Sequence, residues 1–388
     1  MGHGIRCFAA TILFALPATG QQGLLADWEV DYRADASLIA SPGRSDAGER
    51  DSEPVLGDAR AEIRIERVLD NGMEIGGRLG ARAQFDHPER QGFSGRIADG
   101  VGPGVFPRGA FTGLTLGGPL EDDGFEIELE TAFVYVDGGY GELLAGRDVG
   151  IARRFHEGAP SVFRLHRGVN ASLDTSGVAT VLTRNDLTGP SAKVSYATPR
   201  ILGIRVGGSY TPDVNVGGVD RDPERSVGGV AEPRLSQAFE LAFNASRRLG
   251  EAGVRVDAYG AFGRADVDIL PGSIDNGTLQ VWSTGGNLEW EGLRFGADWL
   301  TTNNGDGRYR AWSLGVGADW LGFEWSGGFG RSRDSLTSVD GETWHFGASR
   351  ALWERWTVAV GLDQNRLEFV DGTKNSSLGP VIEITLRL

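Results

Sequence analysis

The sequence predicts an all-β chain, a single 16-stranded antiparallel transmembrane β-barrel with short turns at one end and long loops at the other. Three observations lead there. Polarity alternates with a period of two in segment after segment, and no window has the i, i+3, i+4 spacing of a helix. The alternating segments run about 9–14 residues, longer than the ~5–6 usual in soluble sheets and long enough for a tilted strand to cross a bilayer. Short and long connections take turns along the chain.

The first twenty residues read as an export signal. Arg6 is followed by an apolar run, Phe8–Ala18, broken only by Thr11, and Ala18-Thr19-Gly20 supplies small residues for cleavage after Gly20. The run is too short to span a bilayer, which takes ~20 residues. Cys7, the one cysteine, precedes it, so the mature chain 21–388 has no thiol. That chain is expected to be one barrel domain.

Its strands follow in order. Trp28, Val30, Tyr32, Ala34, Ala36 and Leu38 alternate with Asp27, Glu29, Asp31, Arg33, Asp35 and Ser37. Ala59, Ala61, Ile63 and Ile65 alternate with Arg60, Glu62, Arg64 and Glu66. After the Asp70-Asn71-Gly72 turn, Met73, Ile75, Gly77, Leu79, Ala81, Ala83 and Phe85 alternate with residues that include Arg78 and Arg82. Phe125, Ile127, Leu129, Phe133 and Tyr135 are expected to share one face, opposite Glu126, Glu128 and Glu130. Late in the chain Trp356, Val358, Val360 and Leu362 alternate, and the last strand sets Leu378, Ile382, Ile384, Leu386 and Leu388 against Glu383, Thr385 and Arg387. One such strand also suits a soluble sandwich. Many long ones in sequence suit a barrel whose apolar face meets lipid and whose charged face lines a wet lumen.

Parity fixes the strand count. Reading Thr180–Arg184 as a strand gives 17 and puts the long connection Pro212–Arg234 on the tight-turn side. Leaving it in a loop gives 16 and gathers the long loops at one end. The loop after the fifth strand then runs from about Asp148 to Pro190, and a structureless segment of that length is expected to have a function. Trp290, Trp312, Trp320, Trp344, Trp353 and Trp356 fall near predicted strand ends, where aromatic rings sit at a membrane interface.

Composition excludes other classes. The 40% hydrophobic content rules out a helical membrane protein. The net charge of −15, −16 once Arg6 is removed, gives no basic face for nucleic acid. No nucleophile elbow, His-Glu-x-x-His or phosphate loop is present, so no enzyme activity is expected.

Two stretches carry a family resemblance. Gly138-Gly139-Tyr140-Gly141-Glu142-Leu143-Leu144-Ala145-Gly146-Arg147 resembles the strand that precedes the constriction loop in Gram-negative general porins. Arg184-Asn185-Asp186, Lys193-Val194-Ser195-Tyr196-Ala197-Thr198-Pro199 and Gly203…Tyr210 resemble the run that follows it. Leu388 departs from the aromatic residue that usually ends the family's chains. The resemblance implies a homotrimer of 16-stranded barrels in the outer membrane, in contact with its lipid and lipopolysaccharide. Each barrel would be a water-filled path narrowed by an inward-folded third loop.

That loop, about 148–190, is the expected constriction. From Ile151 to Asn170 it holds Arg153, Arg154, Arg164 and Arg167 against Glu157, four positive charges less one negative, or +3. Arg147 leads into it. The facing wall is expected to include Arg60, Arg64, Arg78 and Arg82 with Glu126, Glu128 and Glu130. Opposite charges across such a gap favour polar solutes. A solute-selective channel for sugar, phosphate or carboxylate fits the same barrel. A soluble exported all-β binding protein is the remaining alternative. No cofactor is expected. The outer-loop acids Asp46, Glu49, Asp51, Glu53, Asp220, Asp222 and Glu224 are candidates for loop-bound Ca²⁺ without an EF-hand spacing.

Overall fold

A computed structural model describes residues 27–41, 44–45, 55–85, 106–115, 125–214, 230–250, 253–270, 277–305 and 307–388. The signal segment and the outer-loop acids lie outside these residues.

Sixteen long strands form the wall: β1 Glu29–Ala40, β2 Val55–Val68, β3 Glu74–Phe85, β4 Phe125–Gly138, β5 Gly141–Asp148, β6 Ser191–Ala197, β7 Ile204–Asp213 and β8 Val230–Leu249 make the first half. The second half is β9 Val254–Leu270, β10 Gly277–Trp290, β11 Leu293–Thr302, β12 Tyr309–Trp320, β13 Phe323–Asp334, β14 Val339–Leu352, β15 Trp356–Phe369 and β16 Lys374–Arg387. Each pairs antiparallel with its neighbours in sequence, and β1 pairs with β16 from Asp35↔Arg387 to Ala40↔Ile382. The sheet therefore closes on itself. Closure matters because an unpaired strand edge has no hydrogen-bond partner in lipid. Thr180–Arg184 forms no strand, as the parity argument required.

The outward face is apolar over the membrane. Leu38, Leu79, Leu314, Phe346 and Ile384 all point out and are exposed. The wall is uneven in height: β5 and β6 have 8 and 7 residues, whereas β8 and β9 have 20 and 17.

On the tall side the polarity of the two faces inverts along the strand. In β9 the outward series passes from Phe262 to Arg264 and Asp266, while the inward Ala265 and Val267 are buried. In β10 Trp282 is followed toward the loop end by outward Gln280, over inward Leu279 and Val281. Beyond the membrane the outside meets water and the inside packs on loops, so the apolar residue moves inside. Phe111 of the second long connection and Val181 and Leu187 of the third join that inner cluster. The sequence reading, which put every charged face inside, missed this inversion. It also explains why Trp312 and Trp344 stand several residues inside β12 and β14: they mark the membrane boundary, and the strands continue past it.

One expectation is corrected. Phe133 and Tyr135 do not share a face with Phe125, Ile127 and Leu129. The β3–β4 register skips Glu130, passing from Gly80↔Thr131 to Ala81↔Leu129. This bulge adds one residue and exchanges the faces beyond it. Ile127 points out at 67% exposure, and past the bulge Val134 does so at 64%. Tyr135 turns inward and its hydroxyl lies between the carboxylates of Glu66 at 2.8 Å and Glu74 at 2.6 Å, with one proton to donate between them. The partner strands make room with glycines. Gly146 in β5 runs at φ +136°, and a Cβ there would lie 2.6 Å from the Cα of Phe133. A Cβ at Gly76 in β3 would lie 2.7 Å from the Tyr135 ring.

Deleting Glu130 would remove the bulge and turn Phe133 and Tyr135 outward and Val134 inward. The expected outcome is loss of the heat-modifiable band that marks a folded barrel on an SDS gel, whereas Glu130→Gln keeps it.

Candidate functional site

The third long connection leaves β5 at Asp148 and turns at Gly150 into the short helix α1, Ile151–Arg154. Ile151, Ala152 and Phe155 pack on Ala197, Ala242 and Ala261 of β6, β8 and β9. The Ile151 amide donates to Ser209 Oγ at 3.3 Å, and Ser209 donates to the buried Glu240 at 2.8 Å. At the loop's other end Lys193 Nζ donates to Thr188 Oγ1 at 2.9 Å and to the Gly189 carbonyl at 2.7 Å. Both roots are thus tied to one wall.

From there the chain crosses the lumen along the inside of β10 to β16. Asn287 Nδ2 donates to the Gly158 carbonyl at 3.0 Å, and the Ala159 amide donates to Asp298 at 2.8 Å. The Val162 amide donates to Ser326 Oγ at 2.8 Å. Three successive amides, of Arg164, Leu165 and His166, then donate to the buried Glu383 carboxylate at 2.9, 3.1 and 3.2 Å. Charge-assisted bonds of this kind are about twice as strong as neutral ones. Phe163, Leu165 and Leu173 fill a cluster with Ile39, Leu56, Ala359 and Val381. The Arg164 guanidinium closes the crossing by pairing with Asp35 of β1.

Glycines form the bed for this crossing. A Cβ at Gly296 would lie 2.7 Å from Pro160, at Gly315 3.0 Å from Ala159, at Gly347 or Gly361 2.8 Å from Phe163, and at Gly330 2.7 Å from Val169. The repeat of these glycines at inward sites of β11–β15, opposite outward aromatics such as Trp299, Trp312 and Phe346, is the signal that could have located the docking track.

The candidate residues fall into three groups. On the lumen face of β2–β4, Arg60 pairs with Asp58 at 3.2 Å, and Arg82 is buried between Asp58 and Glu130, the latter at 3.0 Å. Arg64 contacts Glu74 at 3.0 Å, and Arg78 pairs with Glu62 at 3.4 Å. Glu126 and Glu128 continue this face, and Arg147 of β5 pairs with Glu128. At the root of the loop Arg153 pairs with Asp186 at 2.6 Å, and Arg154 pairs with Glu142, which also takes Arg205 at 3.2 Å. Farther along the crossing come Glu157, Arg164 and Arg167. Burial raises the Glu157 carboxyl above its usual range, with the charge of Asp257 acting in the same direction. Most of the charges meet as ion pairs within a wall or between wall and loop, not as two unpaired walls of opposite sign. Among the described residues no group of His, Cys, Asp and Glu could hold a metal ion.

A closed antiparallel barrel with an apolar outer belt, a charged lumen and a loop strapped across it defines a membrane channel. The Gram-negative porin family profile matches residues 8–369, and the chain belongs to that family. It forms an outer-membrane channel for passive diffusion of small hydrophilic solutes. No curated protein matches the chain. Solved structures with the same fold include OprB of Pseudomonas putida, with 10% identity, TM-score 0.57 and coverage of 93% of this chain and 94% of that one. Another is an anion-selective porin from Comamonas acidovorans, with 11% identity, TM-score 0.52 and coverage of 93% and 100%. A third is OmpT of Vibrio cholerae in a trimer form, with 11% identity, TM-score 0.54 and coverage of 93% and 99%.

His166 adds a pH-sensitive tether. Burial alone would lower its pKa, but a hydrogen bond and charge from Asp363, with Asp174 and Glu383 nearby, raise it to about 9. His345 and Arg167 also lie close. Its Nε2 stands 3.5 Å from Asp363. The folded pKa exceeds the unfolded one, so the tether is at full strength below about pH 6.5 and is lost as pH rises through about 9. Its contribution is roughly 3 kcal/mol at one pKa unit per 1.36 kcal/mol. Cleavage within the loop by a protease should therefore rise between pH 8 and 10, and His166→Asn should flatten that profile.

Proposed function

We propose that the third loop forms the constriction of a general diffusion porin, with Arg147, Arg153, Arg154, Glu157, Arg164 and Arg167 on the loop side. Arg60, Arg64, Arg78, Arg82, Glu126, Glu128 and Glu130 form the facing wall. The observation that carries this reading is the three-amide clasp on Glu383, which ties the loop across the lumen. A chain held at both roots and at its midpoint narrows a path in a fixed place. Selectivity then follows from the diameter and fixed charges there. The role is transport, with no catalytic step.

The same reading includes export with removal of residues 1–20 and assembly as a homotrimer. Outward rows Ala34–Ala61–Ala81 and Ala36–Ala59–Ala83 run across β1–β3. Such a flat apolar face, without the tryptophans of β10–β15, suits close contact with a second copy. The tryptophan-bearing side would face lipid and lipopolysaccharide.

Single-channel recording in a planar bilayer tests this. Open steps are expected in groups of three, and properly folded protein without conductance would refute the reading. Arg153→Glu with Arg154→Glu should move the reversal potential in a KCl gradient toward cation preference. An unmoved potential would place the constriction elsewhere.

A further inference from the structure

On the short-turn side of the crossing loop the lumen opens into a cavity of about 700 Å³. That volume lies within the ~300–1,000 Å³ usual for small-molecule sites. Its charges are unequally committed. Arg164 is paired with Asp35, and Glu383 is occupied by the three loop amides. Asp319 pairs with Arg294 at 3.1 Å. Arg350, at the rim, lies 5.2 Å over the Phe323 ring.

Arg167 is different. It lines the cavity, and its Nε donates to the carbonyls of Phe163 at 3.0 Å and Arg164 at 3.1 Å. Those bonds fix the stem of the side chain and leave its two terminal nitrogens uncommitted. No carboxylate pairs with it among the described residues, in contrast to Arg153, Arg154 and Arg164 of the same loop. Arg387, the last inward residue of β16, also lines the cavity with no acidic partner among the described residues. The hydroxyls of Ser161, Ser349, Thr357 and Thr385 share the lining. Glu324 and Glu383 are the lining acids without an ion-pair partner among the described residues; Glu324 receives a hydrogen bond from Ser349 at 3.5 Å, and Glu383 holds the three loop amides while its charge reaches Arg167. Three guanidinium groups outside ion pairs, one of them on an aromatic face, and four hydroxyls against the two acids Glu324 and Glu383 leave the chamber electropositive and rich in donors.

We propose that this chamber is a binding station for small organic or inorganic oxyanions, carboxylates or phosphates, with Arg167 as the anchoring group and Arg387 as the second clamp. The proposal rests on the channel reading and adds a solute class to it. A guanidinium presents two parallel N–H groups that match either oxyanion, and the hydroxyls donate to its remaining oxygens. A solute held here sits directly beneath the loop, so occupancy reduces ion flow. The position is open to water on the short-turn side, which makes binding weak and reversible, as conduction requires.

The test is current block in planar bilayers with the full mature chain, using citrate, inorganic phosphate and, as a neutral control, glucose. Wild type should show saturable block by an oxyanion and none by glucose. The citrate and phosphate arms distinguish the two chemistries. Arg167→Gln should raise the half-blocking concentration about tenfold, the factor one charge-assisted contact supplies. Arg387→Gln should raise it less, and Arg167→Lys should restore part of the block. Absence of block in wild type, or equal block in Arg167→Gln, overturns the station. Calorimetry of citrate and phosphate binding in detergent separates the two readings. Oxyanion binding lost with Arg167→Gln but without any conductance would uphold the station and refute the channel.

Discussion

The pairing of β1 with β16 is the constraint on which everything else in this molecule depends. Lipid offers no partner to a strand edge, so the sheet has to close, and sixteen strands close it around a lumen too wide for side chains alone to fill. The seam also sets the address of the site. It brings Asp35 of the first strand beside Glu383 and Arg387 of the last, the residues that receive the loop and flank the chamber beneath it. The loop is therefore tied to the part of the wall that exists only once the chain is complete.

A lumen lined only by ion pairs would leave its loop floating in water. Here the loop has three kinds of hold: apolar packing of Phe163 on β1, β2, β15 and β16, amide bonds to the carboxylates of Asp298 and Glu383, and a bed of glycines. The glycines let backbone approach backbone, which puts the loop amides within reach of the wall carboxylates. Because the arginines around the loop are mostly neutralised locally, the few that are not carry weight out of proportion to their number. Net charge is for that reason a poor guide to passage: the −15 of the whole chain says little about a path whose local balance is set pair by pair.

Much of the fold was legible. Period-two alternation, strand length and loop parity led to sixteen strands and to the third loop, because lipid on one side and water on the other impose a strict pattern. Two features broke that pattern for physical reasons. The Glu130 bulge exchanged faces within β4, and an extra residue in a strand leaves no mark in polarity when Thr131 and Ala132 suit either face. The inward apolar residues Leu279 and Val281 followed from strands that outgrow the membrane, a height that alternation does not encode. In the site, residue types were readable and partners were not. Arg164 and Asp35 lie 129 positions apart, and His166 and Asp363 meet only because the loop folds in.

If Glu383 fixes the loop and thereby the width of the path, as proposed, its removal must change conduction. The most direct test is the single-channel conductance of Glu383→Ala, made in protein that still shows heat-modifiable migration. Larger and noisier open currents than wild type are expected, because the loop amides lose their anchor. Currents equal to wild type in a folded barrel would contradict this role of Glu383.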